Sequence, residues 1–318
     1  MRRHCVAARS SGWNFIPRRA ASHSAHLGRT LRTMNRVVVG LDIGGTKLIV
    51  ASADMQGHIL KRERASTPRG LLEGLALIDE MIEQVREGAE IAGIGAAAGG
   101  PLDWRTGVIS PLHQPEWREV ALKERMERIY RCSFHVDVDA NLAALAEYHH
   151  HARERPARLL YLTISTGMGG GLVENGLISR GMNGGHPEVG HQSVHYRLAE
   201  GRTVACPCGS NGCLEALVSG NGIRRLYRKP PEELSPPEWE EVAWNLGQGL
   251  RNLAVICLPD EIVIGGGVAF GARETLLAPA IEVMRDHLKI VPHPKVSASE
   301  LGEHNVLAGA ILLALSEG

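Results

Sequence analysis

The chain has 318 residues, in which 35 basic side chains balance 35 acidic ones, and only 4% of the residues are aromatic. This length is enough for two lobes with separate hydrophobic cores. Balanced charge and few aromatic side chains argue against a surface that stacks on nucleic acid. No apolar run approaches the ~18 residues that a membrane-spanning helix needs. We therefore expect neither a nucleic-acid partner nor a membrane anchor.

The amino-terminal segment differs from the rest of the chain. Residues 1–36 hold eight arginines and no acidic residue, which is the composition of a mitochondrial transit peptide. The favoured alternative is that Met34, just before the first strand-like run, is the true start. In both cases residues 1–34 are expected to be a disordered leader outside the fold. The six cysteines, three scattered and three clustered, fit a reducing compartment better than a secreted disulfide framework. The cytoplasm is therefore the default location, and a mitochondrial one requires a genuine transit peptide.

The first part of the body predicts a mixed sheet with a covering helix. Three β-like runs, Val37–Leu41, Lys47–Ala53 and Ile59–Arg64, are separated by glycine-containing turns and predict an antiparallel meander. Apolar residues then recur at helical spacing between residues 72 and 85, and Ile91–Ala97 reads as a buried strand. The order βββαβ places the chain in the α/β class.

The second part repeats this pattern. A helix is predicted over 119–130, a strand over Phe134–Asp139 and a helix over Ala140–Tyr148 before the strand Leu159–Ile164 opens a new series. The sequence further predicts a long helix from Trp239 to about Cys257, a strand over Glu261–Ile264, and helices near 274–287 and 305–316. The restart of the pattern indicates two lobes. We place the smaller amino-terminal lobe at residues 35–138 plus 303–318, and the larger carboxy-terminal lobe, which contains the zinc segment, at residues 139–302.

Three glycine-rich turns follow strands and could bind a nucleotide. They are Asp42–Lys47, Ser165–Gly171 and Gly265–Gly267. Glycines let backbone N–H groups approach phosphate oxygens, so two such turns facing each other could hold a triphosphate. Each turn also has an ordinary packing explanation. A standard P-loop is rejected because Lys47 follows Thr46 and no helix comes next.

Asp139 ends a predicted strand and begins a helix. An aspartate in that position is commonly an N-cap, which is the simpler interpretation for an isolated residue. A carboxylate at a strand end can also act as a general base that takes the proton from a hydroxyl attacking a γ-phosphate. The two roles are compatible because both need the side chain at the start of a helix.

A metal site is predicted from one histidine and three closely spaced cysteines. Zn²⁺ prefers four tetrahedral nitrogen or sulfur ligands in structural sites, a set that His191, Cys206, Cys208 and Cys213 supply. The alternatives are buried free thiols or disulfide partners. Cys206 and Cys208 point to opposite sides of an extended chain, which makes a mutual disulfide awkward. Nearby Glu188 and Glu215 are then left to face a polar substrate.

Taken together, these segments resemble the ROK family of sugar kinases and repressors. The resemblance runs from about residue 36 to the end, and its most specific part is the segment from Glu188 through the three cysteines. It implies a duplicated actin-like ATPase (ribonuclease-H-like) fold, with two lobes around a cleft that binds ATP and Mg²⁺. It further implies a structural zinc ion and a homodimer.

The resemblance also implies roles for individual residues. Asp139 becomes the catalytic base, and Asp42 would help to position Mg²⁺ through water. The sugar would be bound through Gly100, Asp139, Glu188, His191 and Glu215. The nucleotide would be bound through Asp42, Gly44, Gly45, Thr46, Lys47, Thr166, Gly167, Gly169, Gly265, Gly266 and Gly267.

Three positions depart from the family pattern. The family has Asn before the catalytic Asp, where this chain has Val138, and its Pro-Asn segment is replaced by Pro111–Trp117, which lacks Asn and is one residue longer. The first glycine of the second turn is Ser165. Because lost amide contacts shift sugar selectivity, a glucokinase-like hexose kinase and a kinase of N-acetylmannosamine or N-acetylglucosamine both stay open.

Two non-enzymatic interpretations are weaker. A repressor would need a DNA-binding module, and the 35 residues before the first strand lack a helix-turn-helix pattern. A sugar sensor without catalysis is kept because of Val138.

Overall fold

The computed structural model describes residues 36–150, 155–198, 201 and 203–316. The arginine-rich leader, for which the sequence predicts disorder or a misassigned start, lies outside these residues. In the first half the elements are β1 (Arg36–Ile43), β2 (Lys47–Ala53), β3 (Ile59–Ser66), α1 (Leu71–Arg86), β4 (Glu90–Ala98), β5 (Leu102–Asp103), β6 (Val108–Ile109), β7 (Val120–Ala121), α2 (Leu122–Tyr130), β8 (Ser133–Val138) and α3 (Asp139–His150). In the second half they are β9 (Arg158–Ile164), β10 (Met168–Glu174), β11 (Leu177–Ile178), α4 (Leu214–Val218), α5 (Gly220–Tyr227), α6 (Pro236–Cys257), β12 (Glu261–Gly265), α7 (Gly267–Gly271), α8 (Ala278–His287), β13 (Lys295–Ala298) and α9 (Asn305–Leu315).

Two five-stranded sheets share one topology. The first has the order β3-β2-β1-β4-β8 and the second the order β11-β10-β9-β12-β13. Numbered along the chain within each sheet, both orders are 3-2-1-4-5. The first three strands of each sheet form an antiparallel meander, and the remaining two run parallel to its first strand. The duplicated α/β fold predicted from the sequence is confirmed.

Helices α3 and α9 pack against each other and join the two sheets. Helix α9 contacts β1 and β4, while α3 contacts β9 and β10. A Cβ added at Gly171 on β10 would lie 2.5 Å from the carbonyl oxygen of Ala140 and 2.8 Å from Cα of Asn141. The missing side chain therefore lets the start of α3 rest directly on the second sheet.

Each sheet has its own hydrophobic core, as the chain length predicts. In the first lobe, the apolar stripe of α1, which includes Ile78 and Ile82, is buried against the sheet together with Trp117 and Phe134. In the second lobe, the long helix α6 packs against α8. This helix begins with a capping box in which Ser235 and Glu238 satisfy each other's backbone N–H groups. Among the described residues, no helix is long and apolar enough to cross a bilayer.

The structure corrects three of the predicted boundaries. The helix expected over 119–130 begins at Leu122, because Val120 and Ala121 pair with β6 in a small third sheet. The helix expected from 274 begins with a π-helical turn over Arg273–Leu277. The glycine-rich turn expected over Ser165–Gly171 ends at Gly167, since Gly169 to Gly171 belong to β10. Two of these strand glycines, Gly170 and Gly171, allow close packing against neighbouring backbone and side chains.

Candidate active site

The parallel strands bring distant residues to one edge of the first sheet. Ile43 on β1 is level with Ala98 on β4, which is level with Val138 on β8. The residues that follow these strands therefore lie side by side at the carboxyl edge, where α/β sheets bind their ligands. They are the Gly44 turn, the segment Gly99–Gly100 and Asp139.

The first glycine turn is held by hydrogen bonds on both sides. The N–H of Gly44 donates to the carbonyl of Lys47 at 3.0 Å, and Thr67 Oγ1 donates to the carbonyl of Gly44 at 2.6 Å. Gly45 and Thr46 are exposed. The exposed residues Gly45 and Thr46 are thus held at the sheet edge on a fixed support.

The second glycine turn follows the strand β9 and contacts Glu215. The carboxylate of Glu215 accepts a 2.9 Å hydrogen bond from the N–H of Met168, and its Oε2 lies 2.9 Å from the position of a Cβ on Gly167. Two carbonyls of the turn, those of Ser165 and Thr166, accept from the first N–H groups of α5 at 2.8 and 3.0 Å. The structure therefore brings Thr166, Gly167 and Glu215 together.

The third glycine segment lies beside the second turn. Gly265 is level with Thr163 on β9, and Gly266 has a φ of 96°, a conformation that favours glycine. A Cβ on Gly266 would also clash with the carbonyl of Ile164. At Gly267 an added Cβ would meet open space, so that position is free to face a ligand.

A cavity of about 430 Å³ lies over these two turns. Its lining residues are Ser165, Thr166, Gly220, Arg224, Pro231, Glu232, Trp239, Gly267, Val268, Gly271, Ala272 and Thr275. A cavity of about 310 Å³ shares Thr166 and Arg224 with it and reaches Glu215 and Pro207 of the cysteine segment. One continuous surface thus runs from an open pocket, past the second glycine turn, to the predicted metal site.

Asp139 begins α3, and its Oδ1 accepts a 2.7 Å hydrogen bond from the N–H of Ala140. Solvent reaches the carboxylate, yet protein surrounds it on most sides, and this desolvation raises its pKa. The hydrogen bond from Ala140 and the nearby rings of His186 and His113 lower the pKa in part. A carboxylate with a raised pKa is a stronger proton acceptor once ionised.

Asp42 is the second carboxylate of the same edge. Burial and the negative charge of Asp139 raise its pKa to about 6, while Lys47 and Arg62 act in the opposite direction. The two aspartates come from β1 and from the start of α3. They are therefore close enough for one charge to disfavour the other, and a cation between them would favour ionisation of both.

A second group of polar side chains lies on the loop before the cysteine segment. Glu188 Oε1 is 3.4 Å from Nε2 of His186, and Glu188 Oε2 is 4.0 Å from Nε2 of His191. Because His186 also acts on Asp139, this loop lies next to the carboxyl edge of the first sheet. Gly190, between Glu188 and His191 in the chain, packs against Met168 and Glu215. Gly100 lies beside Val138, the residue before Asp139.

His191, Cys206, Cys208 and Cys213 converge as predicted. Their ligand atoms all lie within 4.8 Å of one another. Sγ of Cys206 is 3.6 Å from Nδ1 of His191, and Sγ of Cys208 is 3.6 Å from Sγ of Cys213. The cysteines are free thiols, so the disulfide alternative is wrong.

The donor set fits a tetrahedral metal ion. Metal bonds of ~2.3 Å to sulfur and ~2.0 Å to nitrogen place neighbouring ligand atoms about 3.6 Å apart, the separation of both the Cys206–His191 and the Cys208–Cys213 pair. Burial and the neighbouring thiols raise the pKa of Cys213 to about 12, and a cation would reverse that effect. His191 turns Nδ1 to the thiols and Nε2 to Glu188, so metal binding at Nδ1 would also orient Nε2.

A buried ion pair connects this loop to the first sheet. Arg180, which follows β11, contacts the carboxylate of Asp137 on β8, whose side chain is only 3% exposed. The Arg180 guanidinium also lies 4.1 Å from the ring centroid of Trp104, near the small third sheet. This contact fixes the loop that carries His186 and Glu188 relative to the strand that leads to Asp139.

Several of these residues were not predicted from the sequence. Arg224 and Trp239 line the cavity but lie outside any glycine turn, so no motif indicates them. His113 lies in the Pro111–Trp117 segment, and His186 lies two residues before Glu188, so both could have been found as polar residues inside segments already marked as unusual.

Comparisons with known proteins agree with this arrangement. The model of the ROK family matches residues 38–317. The chain is 31% identical over 302 residues to the glucokinase of Halalkalibacterium halodurans, covering 83% of this chain and 88% of that protein. The crystal structure of a ROK hexokinase from Thermus thermophilus has a TM-score of 0.75 and 33% identity, covering 87% of this chain and 97% of that one.

A third match contains both kinds of ligand. The ROK family glucokinase of Streptomyces griseus, solved in complex with glucose and AMPPNP, has a TM-score of 0.70 and 27% identity, covering 87% of this chain and 99% of that one. The fold and the site define the class of the protein as an ATP-dependent sugar kinase with the actin-like ATPase fold. The chain belongs to the ROK family, as the sequence resemblance predicts.

Proposed function

We propose that this protein is a glucokinase-like hexose kinase that transfers the γ-phosphoryl group of ATP to a sugar hydroxyl. The observation that carries the proposal is the Asp139 carboxylate, which lies at the carboxyl edge of the first sheet beside the loop of Glu188. The glucokinases among its relatives support the choice of sugar.

In this reaction Asp139 accepts the proton of the sugar hydroxyl. The hydroxyl oxygen forms a bond to the γ-phosphorus as the bond between that phosphorus and the bridging oxygen of ADP breaks in line with it. The products are a sugar phosphate and ADP, and the proton leaves Asp139 to solvent. The raised pKa of Asp139 suits this role because a general base works best when its pKa lies near the pH of the reaction.

The nucleotide would lie between the first glycine turn and the other two glycine segments. Gly44, Gly45, Thr46 and Lys47 would contact it from the first lobe, and Thr166, Gly167, Gly169, Gly265, Gly266 and Gly267 from the second. Gly169 lies within β10 and would act through its backbone. The adenosine would enter the 430 Å³ cavity beside Trp239 and Arg224. Asp42 would hold Mg²⁺ through water, and that ion neutralises phosphate charge when bound.

The sugar would be bound through Gly100, Asp139, Glu188, His191 and Glu215. Glu215 uses Oε2 to hold the second glycine turn, so a single carboxylate would connect the sugar to the phosphates. Zn²⁺ held by His191, Cys206, Cys208 and Cys213 would have a structural role. It would fix the turn from Glu188 to His191, on which two sugar contacts depend.

A coupled ADP-release assay tests the proposal with glucose, mannose, fructose, N-acetylglucosamine and N-acetylmannosamine. We expect turnover that requires ATP and Mg²⁺ and is fastest with an unmodified hexose. Fastest turnover with an N-acetylated sugar would make the chain an acylamino-sugar kinase instead. Calorimetric sugar binding with no turnover of any sugar would identify a sensor and overturn the kinase proposal.

The assembly and location are further proposals. We infer a homodimer in the cytoplasm, with sugar and ATP as the partners. Light scattering on the full chain measures the mass directly, and a monomeric mass would overturn the dimer.

A further inference from the structure

Two histidines flank Asp139 from different parts of the fold. His113 belongs to the segment between β6 and β7, and His186 belongs to the loop between β11 and the cysteine segment. Both rings attract the Asp139 carboxylate. The loop of His113 follows a strand of the small third sheet and that of His186 follows a strand of the second five-stranded sheet, so the two imidazoles near Asp139 come from separate parts of the chain.

His186 lies between two carboxylates. Its Nε2 is 3.4 Å from Oε1 of Glu188, while its ring also acts on Asp139. The side chain keeps 26% of its surface exposed, so solvent or a ligand can reach the ring. An imidazole can both donate and accept hydrogen bonds, which matches the hydroxyl of a sugar.

His113 lies over the first glycine turn. Its Cβ is 3.2 Å from the position that a Cβ on Gly45 would occupy, and the side chain is exposed. The segment that carries it is held at Gly100, whose carbonyl accepts from the N–H of Leu112 at 3.0 Å, and at the buried Trp117. His113 is therefore an exposed ring on an anchored loop, beside both the phosphate turn and the predicted base.

The strand next to Asp139 offers no polar side chain in the same place. Val138 is 6% exposed, and its Cγ1 lies 3.9 Å from the position of a Cβ on Gly100. Polar recognition beside the base must therefore come from residues on the neighbouring loops. His113 and His186 are placed to supply it from two directions.

We propose that His113 and His186 contact the sugar and determine which hydroxyl stereochemistry the site accepts, an inference that rests on the proposed function. A site that hydrogen-bonds a particular hydroxyl discriminates strongly against sugars that place it elsewhere, because the protein group then stays unpaired. Two imidazoles on separate loops can each hydrogen-bond a different hydroxyl.

The test measures kcat and KM for each sugar of the five-sugar panel and for ATP. The variants are His113→Ala, His186→Ala and the matched amides His113→Asn and His186→Asn, with His287→Ala on α8 as the control. We expect each alanine variant to raise KM for the preferred sugar about tenfold or more, as loss of a hydrogen bond of ~1.4 kcal/mol does. KM for ATP should change less than about twofold, which corresponds to under ~0.4 kcal/mol.

The order of preference within the panel is the decisive readout. Loss of a sugar contact changes that order, whereas a loss of stability leaves it unchanged. The asparagine variants should recover part of the affinity because an amide also donates and accepts. Melting temperature and bound zinc of each variant establish that the site is still assembled.

Three results would overturn the inference. The first is an unchanged order and sugar KM in both alanine variants of an active enzyme. The second is an equal rise in KM for ATP, which would assign the rings to the phosphates. The third applies to His186 alone: an effect that disappears in a Glu188→Gln background shows that His186 acts only by holding Glu188. Wild-type protein that turns over no sugar would instead overturn the proposed function.

Discussion

The negative charge of Asp139 raises the pKa of Asp42 at the carboxyl edge of the first sheet, although 96 residues lie between the two in the chain. Parallel strands β1, β4 and β8 end level with each other, which brings the two carboxylates together. Both have raised pKa values, mainly because protein desolvates them. The edge therefore concentrates negative charge where a magnesium nucleotide would bind.

Replacing Asp139 by Asn should abolish turnover while leaving sugar binding largely intact. The amide keeps the size of the side chain but cannot accept the hydroxyl proton, so we expect kcat to fall about 10²–10⁴-fold. The coupled assay measures kcat, and calorimetry measures sugar binding. Asp286→Asn, an exposed residue on α8, is the matched control. Turnover unchanged in the Asp139 variant would exclude this carboxylate as the base.

Replacing Asp42 by Asn should stabilise the ligand-free protein at neutral pH while reducing its activity. The folded protein holds the Asp42 proton more tightly than the unfolded chain, since burial raises the pKa from 3.8 to about 6. The stability that this proton binding contributes is present below pH ~4 and is lost as the pH rises to ~6. Above pH 6 the variant should therefore be about 3 kcal/mol more stable, since each pKa unit corresponds to ~1.4 kcal/mol.

Denaturant unfolding of both proteins between pH 4 and 8 checks this result. The difference between wild type and the Asp42 variant should grow across the window from pH 4 to 6 and then stay constant. A stability difference that is independent of pH would show that folding does not raise the pKa of Asp42.

Replacing Cys213 by Ser should release the metal and weaken sugar binding. Cys213 is fully buried and lies beside both Cys208 and the carbonyl of His191, so its loss opens the tetrahedral set. Bound zinc, measured by mass spectrometry of the purified protein, should drop below stoichiometry, and the melting temperature should fall because structural zinc contributes folding energy.

Cys257→Ser is the control for the zinc experiment, because Cys257 is a free thiol at the end of α6. It should keep the metal and the sugar KM of the wild type. Full zinc content in the Cys213 variant would show that the cluster does not hold the ion in this way.

Replacing Arg180 by Met should destabilise the protein because it removes the cationic partner of the buried Asp137 carboxylate, which then keeps only the hydrogen bonds from Asn141 and the N–H of Val138. Breaking a buried pair in this way costs roughly 3–5 kcal/mol. The double variant with Asp137→Asn should recover part of the loss, since no buried charge then remains. Arg128→Met is the matched control: its ion pair with Glu124 is exposed, and we expect a cost below ~1 kcal/mol in denaturant unfolding.

The sequence predicts the two-lobed α/β fold because periodicity marks the strands, and glycine turns mark their ends. It also predicts the cysteine cluster, since metal chemistry fixes the kinds of ligand. It fails at Gly169 to Gly171, where glycines that resemble a turn continue a strand, and where Gly171 lets α3 pack closely. Arg224, Trp239 and Arg180 act through contacts between distant segments, which leave no local pattern.

The position of α3 constrains how the two lobes can move. The chain attaches Asp139 to β8 of the first sheet, while close backbone contact at Gly171 holds the same helix start on the second sheet. A rotation of one lobe about this junction would change the distance between the opposing glycine turns and leave the carboxylate nearly stationary. Closure would thus carry the nucleotide toward a base that is already in place.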